Sequence, residues 1–441
     1  MYRDLTKGSI ARALLLFALP MIAGNMLQQL YNIADTLIVG RVLGSNALAA
    51  VGSAYTLMTF LTSIFLGLSM GSGALFSIYL GKGDRASLKS AIVHAFVLIL
   101  MVTLVLNVLA YVCLNPILTF LQVPAEVWDG MRDYLLVIFA GLIATSLYNF
   151  FSCLLRALGN STAPLVFLAV SAVLNIVLDI WFVMGLSLGV AGAAWATVIS
   201  QAVSGLGIAA YSFRRLPWLR RGRGGWDWGR FAHIVKNDVA TGIQQSVMNF
   251  GILMIQGLVN SFGTVIMAAF AAAVKIDTLA YMPAQEFGNA YSLFVSQNFG
   301  AGERERIRKG TKMSFALSAA FCALVSCGIF LMAPQLMGCF VDPGEREVIA
   351  QGVRYLHIEG AAYVGIGVLF LWYGYFRGIR RPEISLVLTV ISLGTRVVLA
   401  YALAPRTALG VNAIWLAIPI GWVLADGAGL WFYARRRHKE G

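Results

Sequence analysis

Residues 171–182 read SAVLNIVLDIWF, and residues 28–36 read QQLYNIADT. The first is an apolar run interrupted by Asn175 and, four residues on, Asp179. The second carries Asn32 and, three residues on, Asp35. Side chains three or four positions apart share one face of a helix. Each stretch therefore presents an amide and a carboxylate on one stripe, in sequence otherwise apolar enough for lipid. A carboxylate near the centre of a bilayer costs about 2.5–3.5 kcal/mol on insertion scales. Two readings account for accepting that cost: the acids form a cation site, or they hold helices together by hydrogen bonding. Amides alone would hold helices more cheaply, so the pattern favours the cation site.

The rest of the chain has the composition of lipid-embedded sequence. Its 441 residues are 59% hydrophobic and 12% charged, with a mean hydropathy of +0.78. Soluble domains carry about 25% charged residues. A spanning helix needs about 20 mostly apolar residues, and on that rule the chain reads as twelve. The expected spans are 10–40, 47–78, 89–114, 132–157, 162–185 and 190–213, then 234–261, 265–297, 310–334, 353–377, 383–404 and 410–434. The opening MYRDLTKGSIARALLLFALP has a basic lead without a small-residue cleavage site and reads as a retained first membrane helix. Cys113, Cys153, Cys322, Cys327 and Cys339 show no metal-ligand spacing and read as small hydrophobes.

The formal charge of +13 suggests nucleic acid until its placement is read. With the amino terminus placed in the cytoplasm, 26 of the 33 Lys and Arg fall in inside segments. That bias puts both termini in the cytoplasm of a multi-pass plasma-membrane protein. The longest inside segment, 214–230, reads RRLPWLRRGRGGWDWGR and fits a linker lying on anionic headgroups better than a nucleic-acid arm.

The two halves repeat. Leu80-Gly81-Lys82-Gly83-Asp84-Arg85 recurs 219 residues on as Phe299-Gly300-Ala301-Gly302-Glu303-Arg304, and Gly44 recurs as Gly263. At a shift of 221, Arg156 matches Arg377 and Gly189-Val190 matches Gly410-Val411. Six helices per copy give two parallel bundles, the layout of an alternating-access carrier. The expected domains are 1–213, a linker 214–233, and 234–441. The polar positions do not repeat: Asp179 corresponds to Ala400, Asn175 to Arg396 and Asp35 to Met254. A shared packing need would have kept both sets, so the asymmetry places the cation site in the first bundle.

Four stretches carry a resemblance: LPMIAGNMLQQLYNIADTLIVG from Leu19, LRALGNSTAPL from Leu155, GVAGAAWATVISQ from Gly189 and VSQNFGAGERERI from Val295. Over essentially the whole chain the sequence resembles the multidrug and toxic compound extrusion family. The resemblance implies an all-α membrane fold of twelve helices in two six-helix lobes around a cleft. It implies export of organic, often cationic, compounds driven by inward H⁺ or Na⁺. It also implies a first-lobe ion site that matches Asp35, Asn149, Asn175, Asp179 and Thr197 here, with Na⁺, if that is the ion, at Asp35, Asn175 and Asp179. Pro20 matches the proline tied in the family to bending of the first helix. Some members instead keep acidic ion-site residues in the seventh and tenth helices; here the seventh helix offers Gln244, Gln245 and Asn249.

The residues suit that work on chemical grounds. Oxygen-bearing side chains replace the water shell of a small hard cation. Two carboxylates held together repel until a proton or Na⁺ joins them, so loading the site biases one packing of the helices around it. Gln28, Asn32 and Asp35 lie on one stripe of the first helix. In the second half, Lys275, Asp277 and Glu286 stand in an apolar setting with Pro283 expected to break the helix between them. They line a cleft for a charged substrate, or Lys275 pairs internally with Asp277 or Glu359. Arg396 and Asp426 are expected to pair. A flippase of lipid-linked oligosaccharides is the alternative; such proteins usually carry a cationic cleft. Motifs for zinc, a serine nucleophile or a phosphate loop are missing, so neither an enzyme nor ATP use is expected. The expected partners are small organic substrates and lipid, acting on a monomer without a resident cofactor.

Overall fold

The computed structural model describes residues 3–120, 123, 125–219 and 226–440, and its regular elements there are all helical. Arg220, Arg221 and Arg223 of the basic linker lie outside the described residues. In hydrocarbon, backbone N–H and C=O groups find no water, and a helix satisfies them within one segment. The apolar runs accordingly become α1 (Ile10–Leu43), α2 (Ser45–Gly81), α3 (Arg85–Val112), the short α4 (Leu114–Phe120), α5 (Ala125–Ala140), α6 (Leu142–Ala157), α7 (Thr162–Asp179) and α8 (Gly189–Arg215). There follow α9 (Trp228–Asn260), α10 (Thr264–Ala301), α11 (Arg304–Gly338), α12 (Arg346–Gly360), α13 (Tyr363–Gly378), α14 (Pro382–Leu403) and α15 (Val411–Glu440).

Among the described residues, nine single helices are long and apolar enough to cross a bilayer, and two bent pairs add one span each. The 33 residues of α9 are long enough as well. Arg230, His233, Lys236 and Asp238 lower the hydropathy of its first turns. In seventh place, α9 completes the twelve spans. The fourth and tenth spans differ from the straight helices expected at 132–157 and 353–377. Each is two helices, starting at Ala125 and Arg346, bent by 47° and 52°. At the first bend the Gly141 N–H reaches back only three residues, to the Ile138 carbonyl, at 2.9 Å. At the second, the Ala362 N–H bonds the Glu359 carbonyl, also at 2.9 Å. The two prolines expected to disturb helices do not interrupt them: Pro20 lies within α1 and Pro283 within α10. One missing backbone bond is tolerable where neighbouring groups compensate.

The sequence repeat is a repeat of backbone geometry. Gly83 (φ 71°) and Gly302 (φ 77°) both adopt the left-handed conformation that a side chain disfavours. In each turn an acid N–H bonds the carbonyl five residues back: Asp84 to Tyr79 at 3.1 Å and Glu303 to Asn298 at 2.9 Å. Asp84 then caps α3, accepting from the Ser87 N–H at 2.9 Å.

The chain divides into two compact units. One comprises residues 1–4 and Leu19–Gln245, the other Leu5–Ala18 and Ser246–Gly441. In the first, α8 packs along α5, α6 and α7, and α2 along α3, α5 and α6. A Cβ on Gly205 of α8 would stand 2.5 Å from the Ala144 carbonyl of α6. The first half of α9 belongs to this unit, seated on α2, where a Cβ on Gly67 would stand 2.6 Å from the Gly242 Cα. Small residues allow such approach between membrane helices. In the second unit α10 runs along α13 and α14 along α15.

The VSQNFGAGERERI stretch clasps residues 5–8 within the second unit. Gln297 Oε1 accepts from the Leu5 N–H at 2.7 Å, and Asn298 donates to the Leu5 carbonyl at 3.1 Å. Arg306 donates to the carbonyls of Leu5 at 3.2 Å, Gly8 at 2.8 Å and Lys7 at 2.8 Å. Two of the three Arg306 bonds are exposed and the third half-buried, so each is worth about 0.5–1.5 kcal/mol. Arg306→Met should therefore free residues 5–8 while leaving the helices intact. Amide hydrogen exchange of this segment would rise at least about tenfold, the change for each 1.4 kcal/mol lost. Unchanged protection would show that Gln297 and Asn298 suffice.

Candidate cation site

The acids at Asp35 and Asp179 come together in the first unit. Asp35 lies in the last third of α1, and Asp179 ends α7. Asp179 is fully buried. The two carboxyl groups approach to hydrogen-bonding range of each other. As carboxylates neither has a hydrogen to give, and no described donor takes Asp35 Oδ1, Asp179 Oδ1 or Asp179 Oδ2. Asn175, one turn before Asp179 and also buried, donates to Thr197 Oγ1 of α8 at 3.3 Å. Its own Oδ1 is likewise unpartnered. Four buried oxygens without donors, beside a threonine hydroxyl, are a donor set for a proton or a small hard cation.

Other expected residues sit around this centre at varying distance. Gln28 bonds Tyr31, which lies beside Asp35. The Asn32 amide reaches the Tyr55 hydroxyl only at 3.5 Å. Asn149 donates to the Thr145 carbonyl of its own helix at 3.0 Å, and Thr145 Oγ1 donates to Gln201 at 3.3 Å. Asn149 thus belongs to a polar group on α6 and α8, with no bond to either acid. Gln245 donates to Met70 Sδ at 3.3 Å, and the buried Gln244 Oε1 has no donor.

Two features went unread in the sequence. Tyr134 of α5 is buried within electrostatic reach of both acids. Directly after Asp179 the backbone changes to a π-helix over Ile180–Gly185, closing with the Leu186 N–H on the Trp181 carbonyl at 2.9 Å. Such wide turns recur at functional sites.

The second-unit charges fall differently from expectation. Lys275 is exposed on α10, whereas Asp277 and Glu286 are buried. Asp277 instead accepts from the Tyr355 hydroxyl at 3.3 Å, and among the described residues Lys275 closes no ion pair. Glu286 accepts from Asn289 at 3.3 Å, and Arg377 reaches Asn289 Oδ1 at 3.4 Å. The electrostatic neighbours of Arg396 are Asp277 and Glu359, not Asp426. Among the described residues Arg396 and Asp426 close no ion pair.

The MatE family profile matches the chain twice, at residues 20–181 and again at 240–402. The chain belongs to the MatE family. The two matches coincide with the two sequence copies, so the internal repeat is the MatE unit itself. A probable multidrug resistance protein of Bacillus subtilis, YpnP, is 30% identical over 99% of this chain and 97% of its own length. A probable multidrug resistance protein NorM of Thermotoga maritima is 27% identical over 93% and 89%. The fold matches a solved outward-facing multidrug resistance MATE transporter with a TM-score of 0.92, at 24% identity, over 98% of this chain and 97% of that one. MatE proteins are membrane transporters, not enzymes. This MatE chain therefore has a transporter fold whose buried acid pair calls for a chemical role.

Proposed function

We propose that this chain is a secondary antiporter that exports organic, often cationic, compounds in exchange for inward H⁺ or Na⁺. The observation that carries the reading is the pairing of half-buried Asp35 with fully buried Asp179, three of whose carboxyl oxygens no donor among the described residues serves. Buried charge of one sign needs a partner, and a passing cation supplies it. With the ion bound, the α1–α7 contact closes at low cost; with the ion gone, repulsion favours the packing that opens it. Substrate that binds better to the second packing then exchanges for the ion. Asn175, Thr197 and Tyr134 orient and neutralise around the pair.

The basic residues of the inside loops put both termini in the cytoplasm of the plasma membrane. The chain works as a monomer, since the repeat supplies both halves of a carrier. A flippase reading lacks comparable support, because the charges buried at this site are acidic. The test is efflux of a fluorescent organic cation from inverted vesicles, with Na⁺ and H⁺ gradients imposed separately. One gradient should drive accumulation and the other should not. Equal transport with neither gradient would refute antiport.

A further inference from the structure

Thr103, Asn107 and Tyr111 stand four residues apart on α3, so they share one face of it. Each bonds the bent fourth span. Thr103 Oγ1 and Ser146 Oγ of α6 lie 2.8 Å apart, beyond the bend. The Asn107 amide donates to the Phe139 carbonyl at 2.5 Å, at the bend itself. The Tyr111 hydroxyl donates to the Leu136 carbonyl of α5 at 3.0 Å, before the bend. The stripe therefore grips both limbs across the 47° angle. Sharp bends arise where a side chain enters the backbone ladder, and Asn107 enters it two residues before Gly141. The bend in turn seats α8. A Cβ on Gly141 would stand 2.8 Å from Val198 Cγ2, so Val198 fills the space that the glycine leaves. Thr145 donates to Gln201, also on α8, at 3.3 Å. Thr197, next to Val198, accepts from the Asn175 amide at 3.3 Å, which leaves Asn175 Oδ1 as the free oxygen.

The second copy serves as a control. The shift is 219 at the start of α3 and 221 at the end of α6. On those shifts Thr103 and Ser146 become Cys322 and Gly367, Asn107 becomes Ser326, and Tyr111 and Leu136 become Phe330 and His357. The contacts persist without the three hydrogen bonds. Cys322 Sγ lies 2.6 Å from where a Gly367 Cβ would stand, and Phe330 stacks on His357 with ring centres 4.7 Å apart. Ser326 Oγ is buried without a partner among the described residues. The tenth span still bends by 52°. A bend alone therefore does not require the polar stripe, and only the copy with Asp35 and Asp179 has it.

We propose that Asn107 is a positioning residue for the cation site: with Thr103 and Tyr111 it splints the fourth-span bend, and so fixes where α8 holds Thr197 and how Asn175 is turned. An asparagine in the apolar run VLILMVTLVLNVLAYV is costly unless its amide is bonded, and here the bond is made across helices. Without that bond the bend relaxes, α8 loses its seat, and the arriving cation must order the site at the expense of its own affinity. Saturating cation still fills it. This rests on the ion-site reading of Asp35 and Asp179.

The test uses full-length purified protein, with two probes of affinity: binding of radiolabelled Na⁺ at fixed pH, and proton uptake over a pH series in Na⁺-free buffer. Vesicle transport of a fluorescent organic cation at saturating driving cation is measured beside them. Asn107→Leu should weaken the affinity for the driving cation about 10–100-fold, the usual effect of removing a group that orients a ligand. Transport at saturating cation should stay near that of the natural chain. Ser326→Ala, the counterpart in the second copy, should leave the affinity unchanged. A merely structural Asn107 would lower the yield and melting temperature without moving the affinity of the folded fraction. Natural affinity in folded Asn107→Leu protein would thus overturn the proposal, and so would equal weakening by Ser326→Ala. Should Asn107→Leu not fold, Tyr111→Phe decides, since it keeps the ring and removes one bond: weaker cation binding supports the splint and natural affinity overturns it. Failure of the ion-site reading looks different, as Asp35→Asn/Asp179→Asn would then keep the natural cation signal.

Discussion

Asp35→Asn and Asp179→Asn should each reduce gradient-driven efflux to near the leak. Either change replaces a carboxylate by an amide of the same shape, so the protein should still fold and reach the membrane. It removes the repulsion that makes the pair respond to a cation. The Asp35 and Asp179 carboxyls sit at hydrogen-bonding range with Asn175 Oδ1 also unpartnered, and an amide at either position supplies the missing donor permanently. The ion then no longer distinguishes two packings. Couplings between sites are typically worth about 1–3 kcal/mol, or roughly 5–150-fold, and the drop in ion-driven efflux should fall in that range. Substrate binding should survive, because nothing ties the substrate to these two oxygens. The measurement is vesicle efflux beside equilibrium binding of the same fluorescent cation. Normal efflux by both variants would rule out the ion role.

The second large effect is structural and lies on α9. Asp238 is fully buried against α2. It accepts from the Ser72 hydroxyl and from the Asn237 amide at 3.1 Å. Asn237 also donates to the Gly71 carbonyl at 3.1 Å. A Cβ at Gly71 would stand 2.8 Å from Asp238 Oδ1, so the glycine exists to let the acid in. Asp238→Ala would strip two bonds to the acid and leave the Ser72 hydroxyl without its acceptor, while the Asn237 amide keeps the Gly71 carbonyl, at about 1.5–3 kcal/mol per bond. The combined loss of about 3–6 kcal/mol approaches the whole stability of many domains. Thermal unfolding followed by size-exclusion chromatography should show a large fall or no folded protein. Asp238→Asn keeps the Ser72 bond and turns its NH₂ toward the Asn237 amide, so it should cost about one bond. Equal stability of the alanine and natural proteins would remove Asp238 from the account of this seam.

The helices were legible because hydropathy reports them directly, and the repeat because glycines at positive φ leave their mark: Gly83 and Gly302 recur for the turn they make. The acid pair was legible because a carboxylate in apolar sequence is costly wherever it lies. The bends at Gly141 and at Ala361–Ala362 were not, since the composition of a bent helix equals that of a straight one. Pro283 misled in the opposite sense, as a continuous helix runs through it. Charge alone suggested Asp277 or Glu359 for Lys275 and Asp426 for Arg396, but partners across helices depend on azimuth. Asp277 went to Tyr355 instead, and Arg396 toward Asp277 and Glu359. Asp238 hid among the basic residues that open α9, and Tyr134 among aromatics, because neither breaks a pattern.

The wide turn over Ile180–Gly185 gives α7 slack. A segment bonded five residues back holds one residue more per loop than an α-turn, so its winding is a reserve of length sitting against Asp179. Deleting Met184 would use up that reserve. The wide loop would tighten to an α-turn, and the residues on either side would keep close to their register about the helix axis. The stretch beside Asp179 can thus lose a residue without unwinding the helix that carries the acid.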